Sequence, residues 1–306
     1  MRTTTERRRA RTALAGAAAA AVVLVGTVTG CQAGGSGSGG ERGAQDAARP
    51  SPAPAPRWNT SPASIAAVGD SITRGFDACS VLADCPEASW ATGNDPEVQS
   101  LASRLLGSAE APARSWNYAA TGSRMADLPA QLAAAAGHRP DLVTVMVGSN
   151  DACRPTASAM TPVAEFRSGF EKGLAELRKA APKAQVYVSS VPDLLRLWET
   201  GKDSPLGRRI WKLGICPSML ADAGSVTKAA VARREQVRAR VVAYNEALRE
   251  VCAKDALCRY DGGAVFQYPF SVEQLSRWDW FHPGKNGQAR LAELAHRQVT
   301  AAEPPI

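Results

Sequence analysis

The chain has 306 residues, with 36 Lys and Arg against 29 Asp and Glu and a net charge of +7. Residues 1–30 hold five arginines and one glutamate, so +4 of that charge belongs to the N-terminus and only about +3 to the rest. A balance so mild and dispersed excludes binding of nucleic acid through a basic face. Three widely separated histidines and no Cys-x-x-Cys exclude a metal site of familiar spacing.

The first element is a leader. Arg2, Arg7, Arg8, Arg9 and Arg11 precede an Ala/Val/Leu-rich run over 13–28, and Val28-Thr29-Gly30-Cys31 closes it as a lipobox does. The run is short for a bilayer span, which takes about 20 apolar residues. Residues 1–31 therefore read as a lipoprotein-type signal peptide, with Cys31 as the lipidation site. An ordinary cleaved signal peptide or a retained anchor remains open, as does the Sec or Tat route. Residues 32–61 are a linker of Gly, Ser, Pro and Ala that buries too little to fold, extended where prolines alternate from Pro50 to Pro56.

From residue 62 to 306 the chain reads as one catalytic domain. Apolar stretches predict strands over Ser64–Val68, Ser115–Ala119, Leu142–Val147, Val186–Val191 and Leu257–Tyr260. Between them lie helical stripes: Gln99–Leu106, Leu128–Ala136, Phe166-Phe170-Leu174-Leu177, Val237-Val241-Tyr244-Leu248-Val251 and Gln288–Thr300. Strand–helix alternation argues for an α/β domain with a parallel sheet covered on both faces. Residues 192–228 break the alternation, mixing Trp198, Trp211, Leu194, Leu195 and Leu197 with Gly and Pro. They read as a lid, a substrate wall or a packed surface loop.

Six cysteines follow Cys31: Cys79, Cys85, Cys153, Cys216, Cys252 and Cys258. An even number in an exported chain implies disulfides, whose pairing the count leaves open. Short spacing favours Cys79–Cys85 and Cys252–Cys258, which leaves Cys153 for Cys216.

Four blocks at predicted strand ends carry the chemistry. Gly69-Asp70-Ser71-Ile72-Thr73 follows the first strand, where open α/β sheets bind ligands and where the next helix would aim free N–H groups. Alone, Ser71 would read as a helix cap. Thr73 stands where a Gly-x-Ser-x-Gly elbow needs glycine, which excludes that motif. Gly122 follows the second strand and can offer its N–H to an oxyanion. Asn150, in Gly148-Ser149-Asn150-Asp151, can offer a side-chain amide. In Asp279-Trp280-Phe281-His282 a carboxylate stands one turn before an imidazole, with Pro283-Gly284 ending regular structure beyond it. His138, in a turn, and His296, within a helix, are unsuited as the base.

These blocks resemble those of the SGNH (GDSL-type) hydrolases, the resemblance running from residue 64 to about 300. It implies a flavodoxin-like, three-layer α/β/α sandwich with a mostly parallel five-stranded sheet. It also implies Ser71 as nucleophile, His282 as base, Asp279 as its orienter, and an oxyanion hole of Ser71, Gly122 and Asn150. Ile72 stands where many members have leucine. The Arg-Leu-Trp and Ile-Cys-Pro-Ser-Met-Leu segments and the six cysteines are further similar to secreted actinobacterial esterases and lipases.

The expected activity is carboxylic ester hydrolysis through an acyl-enzyme. The alternatives are a phospholipase, a cell-wall or polysaccharide O-deacetylase on the same fold, and a surface lipoprotein that binds without turnover. No cofactor or metal is implied, nor nucleic acid as a partner. The expected protein is an extracellular monomer acting on a small-molecule, lipid or polysaccharide ester, secreted or held at the membrane only by a lipid anchor.

Overall fold

A computed structural model describes residues 57–303. The leader, Cys31 and all of the linker before Arg57 lie outside the described residues. Five strands, β1 (Ile65–Gly69), β2 (Ser115–Asn117), β3 (Leu142–Met146), β4 (Gln185–Val188) and β5 (Cys258–Tyr260), form one parallel sheet in the order β2-β1-β3-β4-β5. This is the expected α/β architecture. After β2 the chain returns across β1 to start β3, so the strand order reverses between β1 and β3. Loops diverge there and leave a crevice at the carboxyl ends.

The strands alternate between two cores. Ala66, Val68, Val143, Val145, Val186 and Val188 pack against the helices Leu128–Ala136, Val163–Ala180 and Lys228–Cys252. Ile65, Ala67, Leu142 and Tyr187 face Trp90 and the helices Leu101–Leu106 and Lys285–Thr300 on the other side. Burial on both faces is why each strand reads as an unbroken apolar run.

Two expected strands end early because side chains take over their backbone groups. Beyond β4, Asn245 clamps both polar groups of Val191, accepting from its N–H at 2.8 Å and donating to its carbonyl at 3.1 Å. Beyond β2, the Asn117 carboxamide accepts from Ala119 N–H at 3.0 Å. Residues 192–228 are not a loop but three short helices, Leu194–Gly201, Pro205–Trp211 and Pro217–Leu220, with Trp211, Met219 and Leu220 buried. Asp193 and Ser204 cap the first two, and prolines open the second and third.

The docked chain begins before residue 62. The Trp58 indole donates to the Val299 carbonyl at 2.8 Å and lies under the Arg259 guanidinium, and Asn59 N–H donates to the Gln185 side chain. The disulfides are Cys79–Cys85, Cys153–Cys216 and Cys252–Cys258. The second ties the three-helix segment to the end of the short helix Ser149–Ala152, which carries Asn150.

Candidate active site

Ser71 opens a four-residue helix, Ser71–Arg74, directly after β1. Asp70 rather than Ser71 is the cap: its Oδ1 accepts from Ile72 N–H at 3.0 Å, which leaves the Ser71 hydroxyl free of that duty. Just before it Gly69 adopts φ +150°, and a side chain there would strike the Met146 carbonyl at 2.2 Å, so only glycine lets β1 pass the end of β3. Buried Gln288 holds the far end of this turn, donating to Ile72 O at 2.9 Å and accepting from Trp90 N–H at 2.9 Å.

His282 Nε2 lies 2.9 Å from Ser71 Oγ, and its Nδ1 bonds Asp279 Oδ2. The loop that carries both is closed on itself. Leu275 and Pro283 form an antiparallel bridge, Ser276 N–H donates to His282 O at 2.7 Å, and Trp280 N–H donates to Ser276 O at 2.9 Å. Asp279 Oδ1 accepts from the Phe281 and His282 N–H groups at 2.9 and 3.0 Å. Trp280 sits at φ +52°, a strained conformation for a bulky residue that this net of bonds enforces. The rings of Phe76 and Phe281 stand edge-on to the imidazole, each at 5.0 Å, and fix its plane.

The electrostatics suit a carboxylate facing an imidazole. Burial pushes the Asp279 carboxyl up, but the bond to His282, its charge and the two N–H donors outweigh burial and hold it below its ordinary value. Asp77 is a second carboxyl at the same place. It is 1% exposed, and one of its carboxylate oxygens lies within 4.8 Å of an Asp279 oxygen and a His282 ring nitrogen. Burial first, and then the Asp279 charge, raise it. The Leu82 N–H and the Cys79–Cys85 loop hold it there, and Ser276 donates to its carbonyl at 2.7 Å. Nothing in the spacing of Gly75-Phe76-Asp77 marks this residue in the sequence.

On the opposite side, Gly122 has φ +85° and nothing within 4 Å of where a side chain would begin. Asn150 Nδ2 gives one hydrogen to Ser123 O at 3.0 Å, so its amide lies against the Gly122 turn with a second hydrogen to spare. Gln131 braces the turn from below. Its side-chain oxygen accepts from Gly69 N–H at 2.8 Å, and its Nε2 donates to Gly69 O and to Ser123 Oγ, both at 3.0 Å. One amide thus locks the Gly122 turn to the end of β1. Sequence reasoning missed Gln131, which looks like an ordinary polar position on an apolar helix. Asp151, the last residue of the Gly148-Ser149-Asn150-Asp151 block, reaches across to the helical turn at Met125. It is buried, accepts from Met125 N–H and the Thr161 hydroxyl, and is raised chiefly by burial.

Asp70 is also buried, and burial raises it to about 7; its Oδ2 meets no protein donor. His138, stacked on Trp116 at 4.1 Å, and His296 take no part in the contacts of Ser71. A hydroxyl, an imidazole and a carboxylate in this chain can move a proton from Oγ to Nε2 as a new bond forms at Oγ.

A family model for GDSL-like lipases and acylhydrolases matches residues 67–290, which span all four blocks. The chain belongs to the GDSL-like lipase/acylhydrolase family. It is an ester-hydrolysing enzyme. Solved structures of similar fold include an extracellular lipase from Streptomyces rimosus, 18% identical, covering 78% of this chain and 99% of that one with a TM-score of 0.45. Phospholipase A1 from Streptomyces albidoflavus is 17% identical over 78% of this chain and 100% of its own, with a TM-score of 0.44. LAE5, an α/β hydrolase from a Lake Arreo metagenome, is 19% identical over 78% and 96%, with a TM-score of 0.45. No curated protein matches the chain.

Proposed function

We propose that this GDSL-family enzyme hydrolyses carboxylic esters through an acyl-enzyme on Ser71. The observation that carries the reading is the unbroken chain Ser71 Oγ, His282 Nε2, His282 Nδ1, Asp279 Oδ2. His282 takes the Ser71 proton as Oγ attacks the ester carbonyl. The Ser71 and Gly122 N–H groups and the Asn150 amide receive the charge that builds on the carbonyl oxygen. His282 then protonates the leaving alcohol, and water repeats the sequence on the acyl-enzyme. Asp279 stays ionised and stabilises the imidazolium.

A cavity beside these residues supports an apolar acyl group. It is lined by Ile72, next to Ser71, by Phe281, next to His282, and by Leu194, Leu197, Phe270 and Leu275. Such a wall gains from burying methylenes, at about 0.8 kcal/mol each, while Ser149, Asp193, Arg196 and Tyr268 also line the cavity. Three disulfides suit an oxidising compartment outside the cytoplasm, in keeping with an exported protein.

The test is hydrolysis of p-nitrophenyl acetate, butyrate, octanoate and palmitate by the full chain and by Ser71→Ala. Turnover should vanish in the variant and rise from acetate to a longer acyl chain in the wild type. Leu197→Trp, which fills the cavity, should return the preference to acetate. Equal rates for wild type and Ser71→Ala would remove the serine from the mechanism. A preference for sugar acetates over every p-nitrophenyl ester would favour a deacetylase instead.

A further inference from the structure

The helix Pro205–Trp211 has two unlike sides. Its inner side belongs to the active site: the Trp211 indole donates to Asp279 O at 3.0 Å, and Gly207 lies so close that a side chain would begin 3.1 Å from the Trp280 ring. On its outer side Ile210 is half-buried and its two apolar neighbours are exposed. Leu206 is 53% and Leu213, just past its end, 84% exposed, and with Ile210 they follow at i, i+4 and i+7, a single stripe. Scattered exposed leucines are ordinary, but three apolar residues aligned on one turn-by-turn stripe are not scattered.

Cations flank the stripe. Arg208, Arg209 and Lys212 line an open depression of about 650 Å³ together with Asp222 and Ser225. None of the ion pairs among the described residues involves any of the three. The far wall is rigid. Buried Arg234, stacked 4.0 Å over Trp198, donates to Ser225 O at 2.9 Å and to Asp222 O at 3.0 Å. Val226, 80% exposed, stands next to Ser225.

We propose that this face docks on an anionic phospholipid surface. Leu206, Leu213 and Val226 enter the boundary between headgroups and acyl chains, while Arg208, Arg209 and Lys212 meet lipid phosphates. Unpaired cations beside an apolar stripe are the two halves of an interfacial contact. A zwitterionic surface would leave the cations unanswered, and a soluble anion would leave the leucines in water. Because the inner side of the same helix holds the Asp279 loop, docking here places that loop one helix diameter, roughly 10 Å, from the lipid surface. The inference goes beyond ester hydrolysis by Ser71 and does not depend on it.

The test uses the full chain carrying Ser71→Ala, so that no lipid is consumed. Hydrogen exchange, read by mass spectrometry, is measured with vesicles of phosphatidylglycerol and, separately, of phosphatidylcholine. Amides 206–213 should be protected by the anionic vesicles alone. The readout is local, so attachment through any other part of the chain does not count. Arg209→Glu/Lys212→Glu should weaken the protecting interaction at least about 25-fold, since one cation near an anionic leaflet is worth about fivefold in affinity. Leu206→Ser/Leu213→Ser should weaken it as well. In the Ser71 background the charge-reversed chain should keep its rate on a soluble ester within about twofold, which shows that the segment still folds. If charge reversal unfolds it, Arg209→Gln/Lys212→Gln, which only neutralises the two cations, reads the same effect at about 25-fold. Equal protection by both lipids, no protection at 206–213, or protection that survives loss of the cations would each overturn the proposal, and the second outcome would leave an acidic protein as the partner to seek.

Discussion

The two sides of the candidate active site are built in opposite ways. The histidine side is mainly local: Leu275 to Gly284 close on themselves through backbone–backbone bonds that span ten residues or fewer, with the Trp211 indole on Asp279 O and the Ser276 hydroxyl on Asp77 O as its ties to distant elements. The side proposed to receive the oxyanion is assembled from a distance. Gly122 is held by Gln131, which reaches back 62 residues to Gly69, and by the Asn150 amide, 27 residues from Ser123. A loop closed by its own backbone bonds loses less of its geometry when the rest of the domain shifts. The distant side depends on packing that any of several helices can disturb, so its damage should be graded rather than complete.

The largest effects should fall on the local side. His282→Ala should cost about 10⁶ in kcat, and Asp279→Asn about 10⁴, because the imidazole keeps its place with the wrong tautomer. Near-equal losses would mean that Asp279 does more than orient the base, and Asp77 would be the residue to examine beside it. On the distant side, Asn150→Ala should lower kcat about 10²- to 10³-fold with little change in KM. Gln131→Ala should cost about tenfold through the Gly122 turn alone, and Gln131→Glu, which lacks donors for Gly69 O and Ser123 Oγ, should not restore the rate. A Gln131→Ala enzyme as fast as wild type would show that the turn holds without its brace.

The smallest effect sharpens the comparison at Asp70, which joins the two sides. Its carboxyl is raised by burial from 3.8 to about 7. A carboxyl with a higher pKa in the folded state holds its proton there longer, so stability is lost as pH rises from about 4 to about 7. Asp70→Asn removes that loss, and the Tm of the variant relative to wild type should climb by several degrees across the window. A constant difference between pH 4 and pH 8 would mean that Asp70 is ionised in the folded protein throughout.

This contrast also explains what could be read without coordinates. The strand–helix alternation, the stripe from Val237 to Val251 and the Asp279-to-His282 spacing are short-range patterns, and the backbone period turns each into a shape. Pro192–Lys228 was legible only as an interruption, because its caps and prolines mark three helices too short to show a period. Asp77 and Gln131 carried no signal: a single buried carboxyl and a single bracing amide are defined by what stands opposite them, and their partners lie on other elements.

By itself, the sequence determined the element types, the parallel α/β class, the family, and the residues able to supply a hydroxyl, a base, a carboxylate and oxyanion donors. Those follow from local periodicity and from chemistry that only a few side chains can perform. Only the tertiary structure decided which face of each strand meets which helices, that Asp70 and not Ser71 caps the helix after β1, and that Gln131 and Asp77 stand at the site. Only it set an apolar, cationic surface on the back of the helix that holds the Asp279 loop. Those facts belong to pairs of residues far apart in the chain, and a pair exists only once the sheet has brought its members together.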